Sequence, residues 1–313
     1  MKRNLTIVTP VFNDFDCLKY LISDISKILG NKVDEIHIIA VNDCSALSPS
    51  EVLSVPKGIT LEILDLITNI GHQRAILTGL CYCLDNQSDS DFIIVMDSDG
   101  EDNPKYINEL LDKCESYGGQ KVIFAKRSKR SETWSFKFLY KLYKFVFRVS
   151  TGVSISFGNF SCIPKSFLSR ICNEPNFWNH YSAAMIKSQI PFESISTERS
   201  KRYTGTSKMN MNTLILHGLS SLSVYIESII VRILKFSFFV LFFLIICFFV
   251  VIYIKFFTSL AIPGWATYIF GFLFNILITV GLFNLLIILS HLNNRNKPFV
   301  APLHFYKKIL KTK

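Results

Sequence analysis

Asp97 and Asp99 stand one residue apart at the end of an apolar run, FIIVM at 92–96. If the chain stays extended there, residues i and i+2 point the same way and both carboxylates reach one cation. Paired carboxylates together with phosphate oxygens suit Mg2+ or Mn2+, which take hard oxygen ligands. A lone D-x-D is often only a solvated acidic turn. Here two further apolar runs also end in acids and amides, in PVFND at 10–14 and VNDCS at 41–45. Basic side chains follow at Lys126 and Arg127. They recur in R-x-x-G-x-S-K, which holds Arg202, Gly205, Ser207 and Lys208. A glycine allows a tight loop there, and basic groups at either end of it can converge on phosphate. The plainer alternative is a basic surface beside an anionic membrane. None of the eight cysteines forms a C-x-x-C pair, and reduced, structural thiols are expected.

The elements that must position these residues are legible as alternating runs. LTIVTPVF (5–12), EIHIIAVND (35–43), DFIIVMD (91–97) and KVIFAK (121–126) are β-branched stretches bounded by polar residues. Amphipathic segments at 17–29 and 74–84 lie between them, and a third helix is expected after Asn103-Pro104. Strand, helix, strand at this spacing predicts an α/β domain with a mostly parallel sheet. In such sheets ligands bind beyond the carboxyl ends of the strands, which is where the acids stand.

The 313 residues are 50% apolar and only 19% charged, where soluble domains carry about 25% charge. With a mean hydropathy of +0.32, the chain is too apolar to be wholly water-exposed, disordered or collagen-like. Residues 236–254 and 266–289 run without a charge, long enough to cross a bilayer. Pro263-Gly264 turns the chain between them. Arg232 and Lys235 precede the first run, and Arg295, Lys297, Lys307, Lys308, Lys311 and Lys313 follow the second. The positive-inside rule then puts both ends in the cytoplasm. No secretory signal is expected at the N-terminus, where the apolar run after Lys2-Arg3 is short and broken. Residues 126–148 carry eight basic residues, one acid (Glu132) and aromatics at helical spacing. That pattern predicts a helix lying on anionic lipid rather than a nucleic-acid surface, with a core-packed helix as the alternative. Residues 213–233 read as a second amphipathic segment.

Five motifs in order, TPVFND (9–14), VNDCS (41–45), NIGHQRAILTGL (69–80), MDSDGEDNP (96–104) and RYTGTSK (202–208), precede the hairpin. The chain thereby resembles the family-2 glycosyltransferases of GT-A fold, and within them the polyprenyl-phosphate glycosyltransferases such as the dolichyl-phosphate mannose synthase group. The resemblance implies that Pro10, Phe12, Asn13 and Asp14 line the nucleotide base and ribose, where the family usually has Tyr-Asn-Glu. It implies that Asp43 accepts a hydrogen bond from the base, with Asn42 and Cys44 as departures. Gly71 would let backbone approach the donor, Arg74 would offset diphosphate charge, and Ser98 would join the nucleotide-sugar site. Asp97 and Asp99 would hold the metal. Lys126, Arg127, Arg202, Ser207 and Lys208 would hold the acceptor phosphate and leaving diphosphate. Asn159 stands in Gly-Asn-Phe where the family has Gly-Asp-Phe or Gly-Ser-Phe. An Asp there is a candidate general base, and Asn cannot take a proton. A phosphate monoester, already ionised near neutral pH, needs no base.

The expectation is inverting, metal-dependent transfer of one sugar from a UDP- or GDP-linked donor to a polyprenyl phosphate at the cytosolic membrane face. The alternatives are transfer to a lipid or glycan hydroxyl and a degenerate, membrane-anchored binding protein. The expected divisions are a transferase domain at 1–210, a juxtamembrane helix at 211–233, spans within 234–290 and a basic tail at 291–313. Nucleic acid is not an expected partner, and a homo-oligomer is compatible with the sequence.

Overall fold

The computed structural model describes residues 4–30, 33–46, 53–86, 90–127, 134–205, 211–259, 262–296 and 300–311. The expected strands appear as β1 (Asn4–Val11), β2 (Glu35–Asn42), β4 (Phe92–Val95) and β5 (Val122–Arg127). Three more complete the sheet: β3 (Ile59–Asp65), β6 (Ser161–Pro164) and β7 (Phe192–Thr197). Their order is β3-β2-β1-β4-β6-β5-β7. The pairings are parallel except those of β6, which runs antiparallel to both β4 and β5. The sheet is therefore mixed and mostly parallel. Strand β1 is buried along nearly its whole length, as a strand covered on both faces must be.

Helices α1 (Phe15–Leu29) and α2 (His72–Asp85) follow β1 and β3, and α3 (Ile107–Ser116) follows β4. Leu18, Leu21, Ile22 and Ile25 of α1 join Ile107 and Leu110 of α3 in one apolar layer. Ala75, Ile76, Leu77 and Leu80 of α2 lie in the other. The chain continues through α4 (Trp134–Thr151), α5 (Lys165–Asn173), α6 (Tyr181–Lys187) and α7 (Met211–Ser223).

Two compact units divide the chain. The first holds the sheet, with described residues in 4–145, 153–224 and 300–311. It differs from the expected 1–210 domain at its far end. Residues 300–311, expected as part of a basic tail, pack into it. Tyr306 is buried and its hydroxyl donates to Asp85 Oδ2 at 2.7 Å, with Lys307 Nζ 2.8 Å from the same oxygen. Leu310 bridges Leu66 in antiparallel fashion, just beyond β3, and Lys311 N donates to Asp65 O at 2.8 Å. An edge strand leaves backbone groups unpaired, and the returning segment satisfies some of them here.

The second unit holds 146–152 and the described part of 225–299. Its long helices are α8 (Ile226–Phe257) and α9 (Trp265–Arg295), packed on each other through Leu244, Val251 and Leu273. Both are long and apolar enough to cross a membrane and leave large apolar side chains exposed along their length. The expected spans lie inside them. The segment read as 213–233 is two helices, broken at Val224-Tyr225. The expected basic helix begins after 128–133, which lie outside the described residues. Its Leu142 and Phe145 are exposed in the first unit, and Val146 and Val149 in the second, where Phe147 is buried.

Candidate active site

Three strand ends bring their polar residues to one edge. After β1 the chain passes through Phe12, 42% exposed, to Asn13 at φ 49°. Asn13 ties this turn to the one after β2: its N–H donates to Ser45 Oγ at 2.8 Å, and its Oδ1 accepts from Ala46 N at 2.8 Å. Pro10 is buried, and its carbonyl accepts from Ser98 Oγ at 3.0 Å. That bond fixes the third strand end against the first.

Buried Asp43 holds the start of α2. Its Oδ1 accepts from Ile70 N at 2.7 Å and its Oδ2 from Gly71 N at 3.0 Å. Burial raises its pKa, and the two backbone donors hold part of the rise back. Gly71 has φ 89°, a backbone shape that costs glycine little and other residues more. This turn aims His72, the first residue of α2, back across the sheet edge.

The extended arrangement expected for Asp97 to Asp99 is not what forms. Strand β4 stops at Val95, and the chain turns at Ser98-Asp99. The two acids consequently face different partners. Asp97 Oδ1 lies 3.2 Å from His72 Nε2 and has no hydrogen bond. Asp99 Oδ1 accepts from Glu101 N at 3.0 Å, and its Oδ2 meets Arg202 at 2.9 Å. Arg202 also grips Asp14 and donates from Nε to Thr204 O at 2.8 Å. One guanidinium thus clips the end of β1 to the end of β4. Gly100, at φ 85°, lets the turn lie against the ring of Tyr203, 2.5 Å from where a Cβ would stand.

Behind the turn, Asp102 Oδ2 accepts from Asp97 N at 3.1 Å, and its Oδ1 pairs with Arg127 at 3.2 Å. The crowding of acids shows in their protonation. Burial and the charge of Asp97 push Asp99 up to about 6 and Asp102 up to about 7. Burial alone would raise Asp97, but the charge and contact of His72 prevail and lower it. Burial alone would lower His72, and the neighbouring Asp97 prevails and raises it.

Asn159, just before β6, reaches the same place. Its Nδ2 lies 2.9 Å from His72 Nε2, and its Oδ1 accepts from Gln73 Nε2 at 3.3 Å. The structure therefore gathers Asp14, Asp97, Asp99, Asn159 and Arg202, with Pro10, Asn13, Asp43, Gly71 and Ser98 behind them. Arg127 is drawn to Asp102, and Lys126 is exposed. Arg74 is also exposed, with its guanidinium 5.6 Å from the ring centre of Trp178. Ser207 and Lys208 lie outside the described residues. His72, Gln73 and Asp102 are participants that the sequence reading did not single out. His72 and Gln73 stood inside NIGHQRA, yet only their tertiary neighbours mark them.

Among the described residues, no three His, Cys, Asp or Glu side chains gather as a metal-holding group. The donor chemistry nonetheless suits a divalent cation, because Asp97 Oδ1 is buried and without a hydrogen bond.

Residues 6–171 match the family model described as glycosyl transferase family 2, more than half of the chain. The chain is 24% identical over 286 residues to the uncharacterized glycosyltransferase YkcC of Bacillus subtilis, an alignment covering 86% of this chain and 83% of that one. It is 26% identical over 172 residues to the undecaprenyl-phosphate 4-deoxy-4-formamido-L-arabinose transferase of Proteus mirabilis. That match covers 54% of this chain and 50% of the transferase, so the chain spans about half the length of several curated relatives it matches. Glucosyl-3-phosphoglycerate synthase from Mycobacterium tuberculosis, solved with Mn2+, UDP-glucose and phosphoglyceric acid, superposes with a TM-score of 0.53. The identity is 13%, over 72% of this chain and 80% of that one, which shows a shared GT-A fold.

Proposed function

The chain belongs to glycosyl transferase family 2, and from that premise we propose that it moves one sugar from a nucleoside diphosphate sugar to a polyprenyl phosphate at a membrane surface, with inversion. The observation that carries this reading is that, just beyond the carboxyl end of β4, Asp97 leaves a buried oxygen without a hydrogen bond while Asp99 pairs with Arg202. Asp97 and Asp99 are the residues that would hold Mg2+ or Mn2+, an ion that supplies positive charge for the departing diphosphate. Asp97 has an oxygen ready for it. Asp99 shares its oxygen with Arg202, whose guanidinium suits diphosphate as well as it suits carboxylate.

Phe12, Asn13, Asp14, Asp43 and Gly71 form the edge on which a nucleotide base and ribose would lie. Lys126, Arg127, Arg74, Ser207 and Lys208 are the further groups assigned to phosphate. Asn159 cannot take a proton, which suits an acceptor that arrives ionised. A phosphate monoester has a second pKa near 6 and needs placement more than deprotonation. The polyprenyl-phosphate acceptor is favoured by the names of the relatives, and a metal-assisted uridine donor by the contents of the solved neighbour. Helices α8 and α9 would cross the bilayer, with the catalytic unit and both chain ends on the cytosolic side. Residues 134–148 and α7 would then lie at the interface.

The test is transfer of labelled sugar from a panel of UDP- and GDP-sugars into extractable lipid by the full-length protein. The expected product is an acid-labile sugar phosphodiester. Asp97→Asn and Asp99→Asn are each expected to lower transfer roughly 10²–10³-fold while the protein stays folded. Full turnover in EDTA, or a lipid product stable to mild acid, would overturn the assignment.

A further inference from the structure

Helix α9 carries one exposed amide at a depth where lipid cannot satisfy it. The charge-free run of this helix is 266–289, and Asn275 stands nine residues beyond Ala266. At 1.5 Å per residue that is about 14 Å along the axis, inside a hydrocarbon core about 30 Å thick. Asn275 is exposed. Thr279 Oγ1 donates to its backbone carbonyl at 2.8 Å and reaches its Oδ1 only at 3.4 Å. Its side-chain NH2 meets no acceptor among the described residues. Hydrocarbon neither donates nor accepts hydrogen bonds, so a polar group left facing it is costly.

The amide does not face α8. Leu273 and Leu277, two residues to either side, pack in the seam with α8, which at about 100° per residue puts Asn275 on the opposite face. That face is exposed along its length. Gly271, Asn275, Ile278, Leu282, Leu285 and Leu289 follow one another at alternating steps of four and three residues, the heptad spacing of a seam between two helices. A Cβ built on Gly271, one turn before Asn275, would meet nothing within 4 Å. Glycine weakens a helix interior, and no neighbour among the described residues crowds this position. A second helix would, since small residues let backbones approach closely in lipid.

We propose that this face of α9 binds the same face in a second copy of the chain, with the two Asn275 side chains hydrogen-bonded to each other. The pairing rests on the reading of α9 as a span made above. Copies of one chain enter a membrane the same way round, so a twofold axis along its normal brings residues of equal depth together. A carboxamide holds both donor and acceptor, and two of them satisfy each other reciprocally. A single Asn in an apolar seam also fixes register and the number of helices. The polyprenyl tail of the acceptor does not meet the same need, because it is hydrocarbon.

The experiment places full-length protein, carrying either a donor or an acceptor fluorophore, in phosphatidylcholine vesicles and follows energy transfer as lipid is added. The wild type is expected to transfer energy well above the level of randomly placed copies. Asn275→Leu is expected to weaken association about three- to thirtyfold, the range of interhelical polar contacts in bilayers, and Asn275→Gln, which keeps the amide, by less. Gly271→Leu is expected to weaken it at least as much by holding the helices apart. Phe243→Leu, exposed on α8, is expected to change nothing. Every substituted residue is exposed, so the packing of α8 on α9 is kept. Random-level transfer in the wild type, or an Asn275→Leu variant that associates no more weakly than Phe243→Leu, overturns the pairing. Alkaline carbonate extraction separates this from failure of the membrane reading. Release of the wild type by carbonate overturns the span and the pairing with it, whereas a retained protein without energy transfer overturns the pairing alone.

Discussion

Replacing Arg202 by methionine keeps an unbranched stem and removes the guanidinium that Asp14 and Asp99 share. Three contacts go: to Asp99 at 2.9 Å, to Asp14, and from Nε to Thr204 O at 2.8 Å. Hydrogen bonds to charged groups contribute about 1.5–3 kcal/mol, and contacts made by one side chain do not simply add. Arg202, Asp14 and Asp99 have side chains 14%, 16% and 18% exposed, so water does not screen the cluster away. A ceiling also applies. Asp99 already sits at about 6, and without its cation it moves higher and takes a proton near neutral pH. The expected loss at pH 7.5 is about 2–3 kcal/mol, or roughly 4–12 °C in Tm for a domain of this size. The sign of the pH dependence follows. Because the folded pKa of Asp99 is raised, ionising it lowers stability as pH rises from about 4 toward 6 in the wild type. In the variant that loss grows and extends to higher pH. The gap between the two proteins is therefore widest above pH 7 and narrows toward pH 5. Thermal unfolding of full-length protein in detergent, with EDTA and without nucleotide, measures it at both pH values. An equal gap at pH 5 and 7.5, or no loss at all, would refute the shared clip.

Gly100→Ala places a Cβ against the Tyr203 ring at φ 85°, and a loss of about 1–3 kcal/mol is expected by thermal unfolding; an unchanged Tm would show that the turn relaxes freely. His180, the N-cap of α6, is pushed down to about 3, first by burial and then by His217. As pH falls below about 6.5 the unfolded chain takes a proton that the folded one refuses, so stability drops by up to about 1.4 kcal/mol per pH unit. His180→Asn keeps a cap and should flatten that slope between pH 6.5 and 5, and identical slopes would contradict it. Tyr306→Phe removes the hydroxyl bond to Asp85 and should cost about 1 kcal/mol, read as faster proteolysis of the chain after Val300.

The parts of the fold legible in the sequence are those buried on both sides. Strands β1, β2, β4 and β5 read as continuous β-branched runs because helices cover both faces. Strands β3 and β7 sit at the sheet edges, where Glu62, Glu193 and Ser194 interrupt the apolar pattern. Strand β6 is four residues containing Cys162 and Pro164, too short to stand out. At the site, the acids were visible because each closes a strand. Their partners were not. Arg202 is 188 positions from Asp14, and His72 is 25 from Asp97, so no local spacing encodes either contact. The turn at Ser98-Asp99 likewise depends on the Ser98 bond to Pro10 O, made across the sheet rather than along the chain.

The return of residues 300–311 to the sheet constrains how the chain threads a bilayer. The chain up to Val224, apart from 146–152, and from Val300 onward belongs to one folded unit, and Tyr225 to Phe299, between them in the chain, belong to the other. A folded domain cannot be drawn through a membrane, so any crossings made by that segment must be even in number. Parity of this kind is independent of loop charge, the basis of the positive-inside expectation; on the proposed reading of α8 and α9 as spans, the two would cross as a pair. It also changes how a water-soluble form should be cut. Stopping the chain before α8 discards Tyr306 and the backbone partners of Asp65 and Ile67. Excising the loop while retaining 300–311 keeps that edge of the sheet closed.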